Sequence, residues 1–187
     1  MRAAREVFSE LGYGAATFQA IAIRADLTRP AINHYFASKH ALYQTVLEQT
    51  NAMVVNAGMA RAQGESSLVG RLSAYFAAAV GGTGIDRSAA AFLVTSVLDA
   101  QRHPGLSSDE NDSLRNSREF VSWAVDDAIK RGEITVNADV ASVVEMLVAV
   151  MWGMGFYAGY VGSDRDLAAV VEKFELLMVN KLWELSE

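Results

Sequence analysis

Three observations predict an all-α fold for this chain. Apolar residues recur at i, i+3, i+4 and i+7 in one segment after another, short polar or glycine-rich breaks separate the segments, and 51 % of the 187 residues are hydrophobic, enough for a helical core. Each segment can be justified in turn.

Ala4, Val7, Phe8 and Leu11 form one apolar face of a first helix that Gly12 is suited to end. Phe18, Ile21, Ala22 and Ala25 repeat the spacing in a second helix, with Thr17 as its N-cap. Asp26 tolerates the dihedrals of a tight turn, and Leu27 is expected to bury into the angle. Thr28 caps a third helix, and Pro30 falls in its first turn, where a missing backbone donor is harmless. Ala31, Ile32, Tyr35 and Phe36 are expected to face inward, leaving Thr28, Arg29, Pro30, Asn33 and His34 outward. Residues 17 to 36 thus have the spacing of a helix-turn-helix. A helix about 10 Å wide fits the major groove, its free N-terminal amides favour phosphate, and Arg or Asn matches base edges. Helix pairs with polar outer faces also occur throughout globular proteins, so periodicity alone leaves open a non-enzymatic helical protein-interaction module.

Ser38 caps a fourth helix running from Lys39 towards Gly58, with Leu42, Val46 and Leu47 on one side. Residues 66 to 80 and 85 to 102 are two further helices, split by Gly81-Gly82-Thr83-Gly84, and Pro104-Gly105 closes the second. A loop and a long helix follow over 106 to 131, carrying Leu114, Phe120, Val121, Trp123, Val125 and Ile129 and stopped at Gly132. Asn137 or Asp139 opens the next helix. Residues 140 to 161 hold a single charge, Glu145, and are long enough to span a bilayer. However, Val140, Val144, Leu147, Met151, Met154, Ala158 and Val161 alternate steps of four and three, the seam of a packed bundle, and a buried helix is the better reading. Gly162-Ser163 ends it, and Asp164 or Asp166 opens a last helix through about Leu185.

Charge is unevenly distributed. The first 50 residues carry five Lys or Arg against four Asp or Glu, a net of +1, and the rest eleven against eighteen, a net of −7. The total of −6 argues against nucleic-acid binding by the whole surface but not against a localised site. With no Cys, disulfides and thiolate metal sites are excluded. His34, His40 and His103 are the only histidines, no His-Glu-x-x-His spacing appears, and Gly81 to Gly84 lacks the Lys-Ser/Thr ending of a phosphate loop. No catalytic residue, metal or cofactor is therefore expected. No basic start followed by an apolar run marks a signal peptide, and a cytoplasmic location is expected.

The stretch Asp26-Leu27-Thr28-Arg29-Pro30-Ala31-Ile32-Asn33-His34-Tyr35-Phe36, followed by Ser38-Lys39-His40-Ala41-Leu42, resembles the signature of the TetR family of transcriptional regulators. Gly12-Tyr13 followed by Thr17 also fits that family. The resemblance is strong over roughly residues 4 to 47 and rests on helix layout and length beyond. It implies a three-helix helix-turn-helix DNA-binding domain at 1–47 and a helical effector-binding and dimerisation domain at 48–187. Thr17 and Thr28 match positions that touch phosphate or cap the helices. Arg29, Pro30 and Asn33 match recognition-helix positions near bases or backbone, His34 and Tyr35 match backbone contacts, and Lys39 matches a lysine that engages phosphate at the start of the fourth helix. Two departures stand out: Asp26 where the family usually has Gly, and Asn33 where Tyr is frequent.

The resemblance further implies a homodimer on a palindromic double-stranded DNA operator, repressing by occupancy and released by a small molecule. Tyr75, Phe76, Phe92, Trp123, Met146, Trp152 and Phe156 lie in the helices where the family lines its cavity, and their character favours an apolar or aromatic effector, although each is also a reasonable core residue. The last two helices carry more apolar surface than one small core buries. Met151, Leu167, Val171, Phe174, Leu177 and Met178 are the candidate dimer interface.

Overall fold

The computed structural model describes residues 1–79, 87–106, 112–135 and 137–182. Among them lie nine α-helices and no strand: α1 (Arg2–Ala15), α2 (Phe18–Ala25), α3 (Arg29–Tyr35), α4 (Lys39–Ala62), α5 (Leu68–Ala79), α6 (Ser88–Arg102), α7 (Asp112–Lys130), α8 (Val140–Phe156) and α9 (Asp164–Met178). A π-helical turn, Tyr157–Val161, continues α8. The expected break at Gly81–Gly84 lies outside the described residues, as does Leu185.

The punctuation follows the side chains. Thr17, Thr28, Ser38 and Asp139 each accept a hydrogen bond from a backbone N–H in the first turn of α2, α3, α4 and α8. Ser163 and Asp166 close a reciprocal capping box at the start of α9. Gly12 sits at φ 71°, breaking α1 before one further turn, and Gly132 at φ 69° ends the chain's run through α7.

Two cores result. α1, α2, α3 and the first half of α4 enclose Val7, Phe8, Ile21, Ile32, Leu42, Tyr43 and Val46, and α6 adds Phe92 and Leu93. Phe8, Tyr43 and Phe92 meet there edge-on or tilted, with ring centroids 5.0 Å (Phe8–Tyr43) and 5.5 Å (Tyr43–Phe92) apart. The second core gathers Leu72, Phe76, Phe120, Val121, Val125, Leu147, Val148 and Met154 from α5, α7 and α8, with Leu167 and Phe174 of α9. Tyr75 stacks on Phe120 at 3.7 Å. α4 belongs to both cores, through Val46 to one and Ala62 to the other, so residue 47 lies within a continuous helix.

Four expectations are corrected. Leu27 is exposed rather than buried in the turn: Asp26 adopts the left-handed conformation (φ 54°, ψ 43°), Leu27 N–H bonds to the Ala22 carbonyl, and Ile21, Ala22 and Ile32 already fill the angle. Tyr35 is 77 % exposed, because α3 ends there and Ile32 and Phe36 suffice for its inner face. Val161 leaves the seam of α8 for the surface, since the π turn adds residues per turn and rotates the face beyond Ala158. The last helix stops at Met178, where Asn180 at φ 55° reverses the chain.

Candidate nucleic-acid interface and ligand cavity

α2 and α3 present one polar edge. Thr28, Arg29, Pro30, Asn33, His34 and Tyr35 are all exposed on it, as is Thr17 at the start of α2. Thr17 Oγ1 accepts from Ala20 N–H at 3.1 Å and Thr28 Oγ1 from Ala31 N–H at 3.3 Å, so both threonines fix helix starts while their edges remain open. The left-handed turn at Asp26 explains how Asp replaces the expected Gly: short polar side chains tolerate that conformation.

The cations around this edge differ in what they already bind. Arg24 is held by Glu10 and Glu6 of α1, and the hydrogen bond from Arg24 draws the Glu10 carboxyl below its ordinary range. Lys39 turns inward: its ammonium donates to the carbonyls of Tyr13 (2.7 Å), Gly14 (3.1 Å) and Ala16 (3.0 Å) and lies over the Tyr13 ring. It therefore ties the first turn of α4 to the end of α1. Among the described residues Arg29 has neither an ion pair nor a side-chain hydrogen bond, and the residue is exposed.

Behind this region, α4 to α8 line a half-open cavity of about 60 Å³. Tyr75, Phe76 and Trp152 line it, together with Val54, Leu93 and Met151. Burial pushes the Tyr75 hydroxyl up to about 12. Trp152 donates its indole N–H to Ser117 at 3.2 Å and touches both cores. Of the other aromatic and sulfur candidates, Phe92 is fully buried in the N-terminal core, Trp123 is half-buried beneath the Arg71 guanidinium at 4.8 Å, and Met146 and Phe156 face outward at 55 % and 51 % exposure.

The candidate interface residues are also dispersed. Met151 lines the cavity, Leu167 and Phe174 are buried in their own chain, Val171 and Met178 are half-buried against the same core, and Leu177 is exposed. Aromatic content did not point to Asn51, Ser113, Asn116 and Ser117, the polar part of the lining. A signal was present for Asn51, which stands four residues after Leu47 and three before Val54, on the buried stripe of α4.

α6 joins the two regions. Its buried Asp99 accepts from the Tyr13 N–H at 2.9 Å and from the Tyr43 hydroxyl at 3.4 Å. Burial and then the Asp99 charge raise the Tyr43 hydroxyl far above the ordinary tyrosine range, so it remains a donor. Gln44 of α4 donates to the Leu106 carbonyl at 2.8 Å, just beyond α6.

Comparison with known proteins agrees with this geometry. Residues 1–46 match the family model described as bacterial regulatory proteins, tetR family. The HTH-type transcriptional regulator UidR of Escherichia coli K12 is 25 % identical over 154 residues, covering 82 % of this chain and 76 % of UidR. The fold is similar to that of the fatty acid degradation regulator FadR of Bacillus halodurans, at TM-score 0.77 and 18 % identity over 98 % of this chain and 94 % of that one. It is also similar to Bacillus subtilis FadR, solved in complex with stearoyl-CoA, at TM-score 0.73 and 21 % identity over 97 % and 96 %. The N-terminal helices thus match the tetR family model in sequence, and the whole chain shares its fold with these regulators.

Proposed function

We propose that the protein is a ligand-responsive repressor that binds a palindromic operator as a homodimer in the cytoplasm and is released by a small, largely apolar or aromatic effector. The observation that carries this reading is α4. Its first turn, capped by Ser38, follows the recognition helix after only three residues, and its middle, at Asn51, Val54 and Val55, forms a wall of the cavity. A ligand that favours one position of α4 biases the placement of α3, provided its affinity for the two states differs.

In this reading residues 1–47 contact DNA and 48–187 hold the effector and the partner copy. Arg29, Pro30 and Asn33 enter the major groove, and Thr17, Thr28, His34 and Tyr35 lie along the phosphates. Lys39 acts through the α4 start that it anchors. Dimerisation is supported by the outer face of α8, where Met146 and Val150 are exposed and no atom approaches the open side of Gly153. Leu177 of α9 is exposed as well. Leu167 and Phe174 seat α9 on its own core so that two helices of each copy build a four-helix bundle. Two recognition helices about 34 Å apart then reach successive major grooves.

The test is selection of bound duplexes from a random pool, followed by sequencing. An inverted repeat is expected, with affinity falling steeply as salt rises because phosphate contacts release counterions. Binding without sequence preference or salt dependence would reject the proposal.

A further inference from the structure

Among the described residues, the cavity lining holds no Arg, Lys, His, Asp or Glu. Its polar groups are all neutral. Ser117 is occupied, accepting from Trp152 and donating to the Ser113 carbonyl at 2.9 Å. Asn51 and Asn116 are different. Asn51 is only 8 % exposed, in the middle of α4, and Asn116 is half-buried on α7, yet neither carboxamide makes a hydrogen bond among the described residues. The Asn51 atoms are not sealed in, since they are absent from the fully enclosed polar atoms without partners, Ser73 Oγ among them. Asn51 and Asn116 both line the cavity.

A buried carboxamide without a partner is costly, and Asn51, with the half-buried Asn116 in the same lining, calls for an occupant that supplies the missing bonds. Taking the cavity as the effector site, as above, we propose that Asn51 and Asn116 form a carboxamide clamp. It selects an uncharged, mainly aromatic molecule carrying a hydroxyl or carbonyl group and rejects the corresponding carboxylates and phosphates. Each carboxamide offers both a donor and an acceptor, so together they satisfy a hydroxyl in either role. The rings of Tyr75, Phe76 and Trp152 cover the aromatic body. An anion placed here gives up hydration with no counter-charge in return. Because one carboxamide belongs to α4 and the other to α7, the same polar group that fixes the ligand also fixes the distance between these helices.

The probes are 1-naphthol, 1-methylnaphthalene and 1-naphthoate, which share one ring system and differ in hydroxyl, methyl and carboxylate. Titration calorimetry of the full chain at neutral pH is expected to show 1-naphthol binding about tenfold more tightly than 1-methylnaphthalene, the gain of roughly one net hydrogen bond, and 1-naphthoate most weakly. Asn51→Leu is expected to bring the naphthol-to-methylnaphthalene ratio to about one while methylnaphthalene still binds. Asn116→Leu serves as the second variant, with thermal unfolding confirming that each is folded. Tightest binding of 1-naphthoate, or an unchanged ratio in both leucine variants, would overturn the clamp and leave the effector cavity standing. Failure of all three probes to bind would overturn the clamp together with the cavity reading on which it rests.

Discussion

Lys39 and Arg29 carry the same charge on neighbouring elements and do different work. Arg29 has no partner among the described residues, so its guanidinium is available to a base edge or phosphate. Lys39 spends its three donors on the Tyr13, Gly14 and Ala16 carbonyls, where α1 ends and the chain turns towards α2. Replacing each residue should therefore give different outcomes. Arg29→Ala and Asn33→Ala are expected to weaken operator binding by about 1–3 kcal/mol with little change in melting temperature, since both side chains are exposed. Lys39→Met should instead lower folding stability, by about 1–3 kcal/mol, by leaving carbonyls without their charged donor. It should weaken operator and random DNA alike. Electrophoretic competition between the two DNA types, paired with thermal unfolding, separates these effects; a Lys39→Met protein with unchanged stability and selectively lost DNA affinity would show that Lys39 reaches phosphate after all.

At the scale of elements, contacts that fix helix spacing are concentrated where side chains are smallest. Gly159, in the π turn after α8, lies so close to α6 that an added Cβ would stand 2.8 Å from the Ala91 Cα and 2.9 Å from its N. Backbone atoms cannot move aside as a flexible side chain can. Gly159→Ala is thus expected to destabilise the fold by about 1–3 kcal/mol, read from denaturant midpoints at constant slope. The nature of this contact also shows why some of the molecule was legible in the sequence and some was not. Local signals were complete for α2, α3 and α4: each has its cap at Thr17, Thr28 or Ser38, and Gly12 marks the break in α1. For α8 they were ambiguous. The helix is apolar on all sides, so periodicity does not say which face meets the cavity, and Met151 turns inward while Met146 and Phe156 turn outward. The π turn, which carries Val161 out of the seam, depends on packing against α6 and has no composition of its own. Asn51 was readable in principle, as a polar residue on a buried stripe, but its meaning depends on the cavity that five helices build around it.

The whole molecule presents an imbalance that one chain does not resolve. Val140–Val161 has a mean hydropathy of 1.6, yet only 28 % of its most apolar window is buried. Its inner residues, Val144, Leu147, Met151 and Met154, join the C-terminal core, which makes it a packed helix with an apolar back. In the proposed dimer a second copy would cover that back with an equivalent surface, since a two-fold axis pairs the same patch with itself. Burial of this kind is worth roughly 25 cal/mol per Å² before the cost of association. That dimer would also connect the two ends of the molecule: a fixed pair of α8 and α9 helices would set the separation of two reading helices, while α6, through Asp99 on Tyr13 and Tyr43, holds the N-terminal unit to its body. A double substitution, Met146→Glu with Val150→Glu, places like charges opposite each other across the proposed axis without entering either core. Sedimentation is expected to report monomers with unchanged helix content. Affinity for a full inverted repeat should fall by at least tenfold, while binding to an isolated half-site stays the same. Dimers that persist with these glutamates would move the interface elsewhere, and monomers that keep full operator affinity would break the link between pairing and recognition.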